Sequence, residues 1–317
     1  MSRGAPGREP DTVTLPDAAH DDRPVVGPDE HAGAWPHVLL AWPTLALTLL
    51  FVVPLGIIAA LGFFRRIQAG FFEVGFVLDN YARALDAFHL ERLWVSVLLA
   101  LAATLVILLV AVPFTFLLTR RPRRAQVPYL VLVLASLSLS EVIIAFAWSL
   151  LLSRTSGVSN LLARVGLLDA PVAWSPGLWA VLLAFVFVAL PLAILSLYPT
   201  FSRLDQELPE AAGTMGAAPV VGFVTVVLPL VRRAVAATGA LVFIFVLGAY
   251  VIPQTLGRPA QWTIPVHITD QAIMKNHLPL AASLAIVLLV VSSLIAVAIV
   301  LLGAGRLPRV ALPRRAP

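Results

Sequence analysis

The sequence predicts an all-α membrane protein with six transmembrane helices. Of its 317 residues, 60% are hydrophobic and only 12% are charged, whereas a soluble domain has about 25% charged residues. The apolar residues are also grouped into runs of roughly 20, the length that crosses the hydrocarbon of a bilayer as a helix. Together these two observations indicate a protein that crosses the membrane several times.

Both ends of the chain lie outside the apolar runs. Residues 1–37 are rich in Pro and Gly and contain seven acidic side chains against three arginines. Such a segment buries too little apolar surface to offset the entropy of ordering it, so we expect a disordered tail. It also lacks the basic start and apolar centre of a signal peptide. Residues 304–317 are predicted to be a second, basic tail.

Six spans are predicted between these tails. Residues 38–92 contain the first span, 38–64, and a loop with a short helix. Residues 93–303 are predicted to be the core of the protein. The five remaining spans are expected at 93–119, 127–152, 177–200, 234–256 and 278–303.

The arginines predict the orientation of the spans. The N-terminus, the turn after the second span, the segment 201–233 and the C-terminus share one side, and they contain 14 of the 22 basic residues. Short loops on the cytoplasmic side carry an excess of basic residues. We therefore expect both termini in the cytoplasm. Arg65 and Arg66 lie on the opposite side, so the first span follows the rule least well.

The polar segment 201–233 separates the fourth span from the fifth. Asp205, Glu207 and Glu210 crowd the start of a predicted short helix, where the helix dipole favours negative charge. They are followed by small residues, which allow close docking and a sharp exit from the helix. These small residues are Ala211, Ala212, Gly213 and Gly216. The pattern predicts a compact helical knob presented to a cytoplasmic partner.

A second short helix is predicted after this knob. Pro219 suits its first turn, because the N–H that a proline lacks would have no partner there. The helix is expected to end near Leu228 and Pro229, ahead of Arg232 and Arg233 at the membrane surface.

Glu141 is the conspicuous charge within the predicted spans. It lies in the middle to outer third of the third span. A carboxylate there is costly and commonly faces a cavity or a partner. A cationic substrate is one interpretation, and a structural hydrogen bond to another helix is the other. Further candidates for lining the same pathway, or for anchoring helix ends at the membrane interface, are Trp148, Tyr250 and Gln254.

The composition argues against several functional classes. There are no cysteines, so disulfides and thiolate metal sites are excluded. The six histidines show no metal-ligand spacing, and we expect neither an enzyme nor a resident metal or cofactor. No Gly-x4-Gly-Lys-Ser/Thr phosphate loop is present, so any ATP hydrolysis requires a separate protein. The net charge of +5 reflects arginines at helix ends, and no nucleic-acid partner is expected.

The polar segment resembles the signature of permease subunits of binding-protein-dependent ABC importers. That signature is Glu-Ala-Ala, three residues, Gly, nine residues, Ile, any residue and Leu-Pro. In this chain it corresponds to Glu210-Ala211-Ala212, Gly216, Val226 in place of Ile, and Leu228-Pro229. The spacing is maintained over 20 residues and falls where the arginines predict a cytoplasmic loop.

This resemblance implies the type I importer permease fold, with a coupling helix seated in a groove of a separate ATPase subunit. Glu210 would make polar contacts with the ATPase, Ala211 and Ala212 would pack closely, and Gly216 would allow the turn. ATP and Mg²⁺ would be used by the ATPase, and this chain would bind no cofactor. The other implied partners are a second permease subunit and an extracytoplasmic solute-binding protein. The sequence does not determine whether that second permease is a different chain, although polyamine-type systems usually use two different chains. The implied location is a bacterial inner membrane.

Within this family the chain looks most like the spermidine/putrescine-type permeases, from about residue 80 to residue 303. The similar stretches are 246–253, 256–257 and 276–282, together with Asn80, Tyr81 and Ser96. One position departs from that subgroup: its members often have Arg four residues before the Trp of the third span, where this chain has Ile144 before Trp148.

The implied function is ATP-driven import of a polyamine by alternating access, with specificity largely delegated to the binding protein. One alternative is a permease of the same class for another small organic solute, such as an opine, an amino acid derivative or a phosphonate. Another alternative is a channel or secondary carrier that works without ATP.

Overall fold

The computed structural model describes residues 35–67, 72–205, 207, 213–214, 216 and 218–305. Most of the two predicted tails therefore lies outside the described residues. The chain divides into two compact units, residues 1–53 and 54–317. Regular structure in the described ranges is helical, apart from one isolated β-bridge between Arg65 and Glu73.

Eleven helices have both ends within the described residues. In chain order they are α1 (Trp35–Leu61), α2 (Asp79–Ala84), α3 (Ala87–Thr119), α4 (Arg123–Leu137), α5 (Glu141–Leu151), α6 (Val158–Arg164), α7 (Leu178–Ser202), α8 (Pro219–Gly248), α9 (Val251–Leu256), α10 (Ile264–Thr269) and α11 (Leu278–Gly303). A π-helical turn, Phe223–Val227, lies inside α8, and another, Asp270–Met274, follows α10. A short 3₁₀ turn, Pro259–Gln261, lies between α9 and α10.

The predicted all-α, multi-span fold is confirmed. Five helices are long and apolar enough to cross a membrane, namely α1, α3, α7, α8 and α11. The pair α4 and α5 passes the same test together and supplies a sixth span if it is counted as one. The span predicted over 127–152 is not one continuous helix, because α4 and α5 are bent by 95° relative to each other.

Serine side chains mark the place of this bend. Ser136 Oγ donates to the Val133 carbonyl at 2.7 Å, and Ser138 Oγ donates to the Leu134 carbonyl at 3.3 Å. Hydroxyls that bond to carbonyls three or four residues back compete with the helical ladder and often bend helices. Ser140 is extended, and α5 begins directly after it.

The predicted helix end near Leu228 and Pro229 is also wrong, because α8 continues through both residues into the membrane span. Pro229 has no N–H to give to the ladder, which would leave a gap in a regular α-helix. The π-helical turn lies directly before it, and the Leu228 N–H bonds to the Phe223 carbonyl five residues back. The span then ends at Gly248, where Ala249 is extended, so the last part of the predicted fifth span is the separate helix α9.

The core of the second unit is centred on α3, which packs against α7 and α8, while α8 also packs against α11. In a membrane the hydrophobic effect does little to bring helices together, because the lipid chains are as apolar as the side chains. Small residues promote packing there by allowing the helices to approach closely. Fully buried alanines occur on both α3 and α7, including Ala103, Ala111, Ala184, Ala189 and Ala193. The largest fully buried side chains are Phe185, Phe243, Ile107 and Leu197.

Asn80 joins three elements at one end of this core. Its Nδ2 donates to the carbonyls of Gly62 and Phe64, just after α1, at 2.9 and 2.8 Å. Its own carbonyl accepts from Ser283 Oγ of α11 at 3.1 Å. Asn80 is only 5% exposed, so these bonds are shielded from water. The similarity to polyamine-type permeases at this position therefore coincides with a structural side chain.

Replacing Asn80 with alanine should destabilise the protein. Two carbonyls would lose their partner, and an unpaired buried polar group costs about 1–3 kcal/mol. We expect a lower melting temperature for Asn80→Ala in detergent. Asn160→Ala is the matched control, because the side chain of Asn160 on α6 makes only exposed, local bonds, donating to the Thr155 carbonyl and accepting from Arg164 Nε. Equal melting temperatures for the two variants would contradict this assignment.

The loop between α9 and α11 is fastened to the start of α3. The Ile264 N–H donates to Ser96 Oγ at 2.8 Å, and Arg92 Nη1 donates to the Ala260 carbonyl. Ser96 is 1% exposed, so this connection is part of the core. The ring of His267 lies over the same contact, edge to face with the Phe88 ring at 5.4 Å between centroids.

Acidification should weaken this fastening. The pKa of His267 is lowered, mainly because burial disfavours the charged ring, with a further contribution from the positive charge of Arg92. His89, Asp270 and Lys275 also act on this ring, and among them only Asp270 favours protonation. A lowered histidine pKa means that the stabilisation is complete above about pH 6.5, where the unfolded chain titrates. It is then lost as the pH falls towards the folded-state pKa.

We therefore expect the melting temperature to fall between about pH 7 and pH 5, and to fall less in His267→Gln. The Asp86 carboxyl does not contribute in this range. Its pKa is lowered below the ordinary value of 3.8, first by the hydrogen bond from the His89 backbone N–H. An unchanged pH dependence in His267→Gln would show that other groups control the acid sensitivity.

Candidate functional site: the loop before α8 and the α5–α9 contact

The loop between α7 and α8 contains the permease-like signature. Gly213 and Thr214 are helical, and the Gly216 N–H donates to the Gly213 carbonyl at 3.0 Å. The Glu207 N–H donates to Asp205 Oδ1 at 3.0 Å. The predicted contact residues Glu210, Ala211 and Ala212 lie outside the described residues.

Gly216 has the backbone conformation that makes a glycine useful at this turn. Its φ is +85°, in the left-handed region that other residues reach only at a cost. A Cβ added to Gly216 would meet no atom within 4 Å. The space around a Cβ at Gly213 is equally open, but its φ is not positive. Of these two positions, only 216 therefore has a backbone conformation that requires glycine.

Leu228 and Pro229 lie where the π-helical turn returns to regular helix. Leu228 is partly buried and packs against the main core, and Val227 beside it is 1% exposed. Val227 and Leu228 thus pack α8 against the core at the end of its π-helical turn. The second half of the signature, from Pro219 onwards, and the membrane span belong to one continuous helix, which follows directly after the loop.

An aromatic clamp holds both ends of this loop, and the sequence patterns did not predict it. Phe116 of α3 contacts the Phe223 ring at 4.8 Å and the Phe201 ring at 6.2 Å between centroids. The Arg120 guanidinium lies over the Phe116 ring at 4.4 Å, a cation–π contact. Phe201 lies in the last turn of α7, and Phe223 begins the π-helical turn of α8. Only the Phe116–Arg120 pair, four residues apart on one helix, could have been anticipated from spacing.

Glu141 begins α5, directly after the bend, rather than lying inside a continuous span. Its side chain is half-buried and faces the backbone amide of Ile252 on α9. Oε1 is buried and has no hydrogen-bond partner among the described residues. A carboxylate oxygen without a partner in a dry environment is costly, so this site is suited to a cationic or hydrogen-bond-donating group.

The other predicted pathway residues divide into two groups. Tyr250 and Gln254 are exposed, and they lie on or beside α9. Since α9 packs against α5, both residues lie in the same pair of packed helices as Glu141. Trp148 is on α5 but contacts Phe187 of α7 at 6.0 Å between ring centroids. Within the described residues, no group of three or more His, Asp or Glu side chains could hold a metal ion.

Comparison with known proteins identifies relatives that are 28–29% identical in sequence. No protein-family model matches the chain. It is 29% identical over 250 residues to the spermidine/putrescine transport system permease protein PotB of Salmonella typhimurium, covering 78% of this chain and 86% of that protein. It is 28% identical over 250 residues to PotB of Escherichia coli K12, covering 78% and 90%.

Solved structures share the fold. A bacterial ABC transporter involved in the import of the acidic polysaccharide alginate matches with a TM-score of 0.68 at 15% identity, over 88% of this chain and 97% of that chain. The alginate ABC transporter in complex with an alginate-pentasaccharide-bound periplasmic protein matches with a TM-score of 0.63 at 15% identity. The chain thus has the fold of an ABC importer permease and, over 78% of its length, resembles the permease subunits of spermidine/putrescine transport systems.

Proposed function

We propose that this chain is a transmembrane permease subunit of an ATP-driven, binding-protein-dependent importer for a polyamine. The observation that carries the proposal is the signature-bearing loop before α8. Its turn at Gly216 has the left-handed conformation, and the helix that follows runs without interruption into a membrane span. Such a loop can transmit a push from a docked partner directly to the bundle.

In this proposal, both termini, the turn 120–122 and the loop 203–218 face the cytoplasm of a bacterial cell. The loop docks on a separate ATPase, which uses ATP and Mg²⁺. A second permease chain and an extracytoplasmic solute-binding protein complete the importer. Residues 93–303 are the permease core, and residues 38–92 are an added helix and loop. The chain itself catalyses no reaction and works by alternating access.

A polyamine is the favoured substrate class for two reasons. The two most similar relatives reported above are named for spermidine and putrescine transport. Glu141 also offers a buried carboxylate oxygen without a partner beside α9, and a carboxylate pairs with a protonated amine. A different small organic solute is the alternative within the same class, and Ile144 in place of the frequent Arg is the feature that favours it.

Uptake in reconstituted vesicles tests this function. Proteoliposomes containing the chain with its partner permease, ATPase and binding protein should accumulate labelled spermidine only when ATP is enclosed on the ATPase side. Omitting the ATPase should abolish accumulation. Spermidine flux that persists without the ATPase would instead indicate a channel or secondary carrier. ATP-driven uptake of a different solute would retain the importer and reject the polyamine.

Phe116→Ala should partly uncouple ATP hydrolysis from uptake. The substitution removes the ring that holds Phe201 and Phe223 together, so movement of the loop would reach α3 less directly. We expect ATPase activity of the assembled importer to persist while solute moved per ATP decreases. Phe187→Ala is the control, because that ring contacts Trp148 and not the loop. Unchanged coupling in Phe116→Ala would show that the clamp only supports the fold.

A further inference from the structure

A groove lies on the surface of the second unit where α3 ends and α4 begins. Its lining residues are Phe114, Leu117, Leu118, Arg121 and Tyr129, and its volume is about 190 Å³. The Phe114 and Tyr129 rings meet edge to face, 6.5 Å between centroids. The lining is apolar except for one guanidinium and one phenol hydroxyl.

The groove opens on an apolar face. Leu117 is 62% exposed and Tyr129 is 48% exposed. The neighbouring outward side chains of α4 are also large and apolar, namely Val127, Val131 and Leu132. In a membrane-spanning bundle such a face contacts lipid chains. The groove is therefore accessible from the hydrocarbon and continuous with it.

Uncompensated positive charge surrounds the end of the groove. Arg120, Arg121, Arg123 and Arg124 are all exposed. The sequence contains no Asp or Glu between Glu91 and Glu141. Within the described part of the chain, none of these four arginines takes part in an ion pair. The charge is therefore available to an anion from outside the chain.

The turn that bears the arginines has a fixed shape. Gln126 is buried, and its Nε2 donates to the Arg121 carbonyl at 2.6 Å and to the Thr119 carbonyl at 3.3 Å. Its Oε1 accepts from Tyr198 Oη of α7 at 2.6 Å. Because these bonds tie the backbone of the turn to α7, the arginines are presented from a pre-organised support.

We propose that this groove binds one anionic phospholipid, with an acyl chain in the groove and the phosphate next to Arg121. Basic clusters beside transmembrane helices attract anionic headgroups, and the apolar lining supplies a place for the chain. A zwitterionic lipid matches the lining but not the charge, and a free phosphate matches the charge but not the lining. The inference requires only that the chain spans a membrane, and it does not depend on the transported solute.

Lipid retention tests the proposal. The full-length protein is incorporated into nanodiscs with equal amounts of phosphatidylglycerol and phosphatidylcholine, then extracted in mild detergent, and the bound lipid is identified by mass spectrometry. We expect selective retention of phosphatidylglycerol. Arg121→Gln should reduce that selectivity about fivefold, since a basic residue near an anionic surface contributes about 1 kcal/mol. Leu117→Trp, which fills the groove, should reduce retention while keeping the charge.

Arg164→Gln is the matched control, because it removes the same charge from an exposed position on α6, and it should retain phosphatidylglycerol normally. Melting temperatures in phosphatidylcholine nanodiscs verify that each variant is folded. Equal retention of the two lipids by the native protein would overturn the proposal. So would displacement by glycerol phosphate with no effect of Leu117→Trp, which would indicate a soluble anion. Crosslinks through Leu117 to a second permease chain would show that protein covers the groove.

Discussion

Replacing Gly216 with tryptophan is expected to abolish ATP-driven uptake while leaving the protein folded and inserted in the membrane. Among the described residues, no atom lies within 4 Å of a Cβ at this position, so a side chain can leave the backbone here without an immediate collision. It would project from the loop that is proposed to dock on the ATPase. A docking surface built from small residues has no room for an indole, and coupling would be lost at the contact itself.

Two further substitutions at Gly216 distinguish the effect of side-chain size on uptake from the effect of backbone strain. The φ of +85° costs an ordinary L-residue about 1–2 kcal/mol, whereas Asn is several-fold enriched in this region. Gly216→Asn should therefore retain more uptake than Gly216→Ala if strain dominates. Gly213→Ala is the control with equal open space and no positive φ, and it should be mild.

The measurements are uptake in vesicles, ATPase activity of the assembled importer and co-purification of the ATPase with the permease. Loss of co-purification in Gly216→Trp would place the defect at the docking surface. Normal uptake by a well-expressed Gly216→Trp protein would contradict the docking role of the loop. A failure of every Gly216 variant to insert would instead assign the glycine to folding.

The spans were predictable because hydropathy depends on composition alone. The end of the second predicted span at Thr119 and both ends of the sixth, Leu278 and Gly303, agree with α3 and α11. Apolar runs of this length have one low-cost conformation in lipid, since a helix satisfies all of its backbone groups internally.

The places where a helix bends or continues were not predictable in the same way. The 95° bend before α5 coincides with serine hydroxyls that bond to backbone carbonyls, and serines that bond in this way also occur in straight helices. Similarly, a Leu-Pro pair usually signals a helix end, because the proline has no N–H to bond to a carbonyl one turn earlier. Here the helix continues, because a π-helical turn before Pro229 changes which carbonyls are paired. In both places the decisive interaction is a hydrogen bond whose geometry the residue types do not determine.

The candidate site likewise has features that the sequence predicted and features that it did not. The glycine at 216 was expected from its place after a helical knob, and its positive φ agrees with that expectation. The Phe116 clamp joins α3, α7 and α8, which are far apart in the sequence. No periodicity within one helix could reveal it, because it depends on how three helices pack.

Glu141→Gln is expected to weaken polyamine uptake by about 10- to 100-fold, the factor that corresponds to a charge-assisted hydrogen bond of about 1.5–3 kcal/mol. The glutamine retains the size of the side chain. It removes the negative charge and replaces one carboxylate oxygen with an amide NH2 group. If the carboxylate binds a protonated amine in the pathway, the loss should be largest for the most highly charged polyamine.

Comparison with a neutral solute and a remote carboxylate makes the result decisive. Glu91→Gln is the matched control, since that side chain is 65% exposed and lies at the start of α3. ATP hydrolysis and the melting temperature of the assembled importer should be normal in both variants. A structural role for Glu141 would lower the melting temperature and impair all solutes alike. Unchanged spermidine uptake in a stable Glu141→Gln protein would remove the carboxylate from the pathway and favour an uncharged cargo.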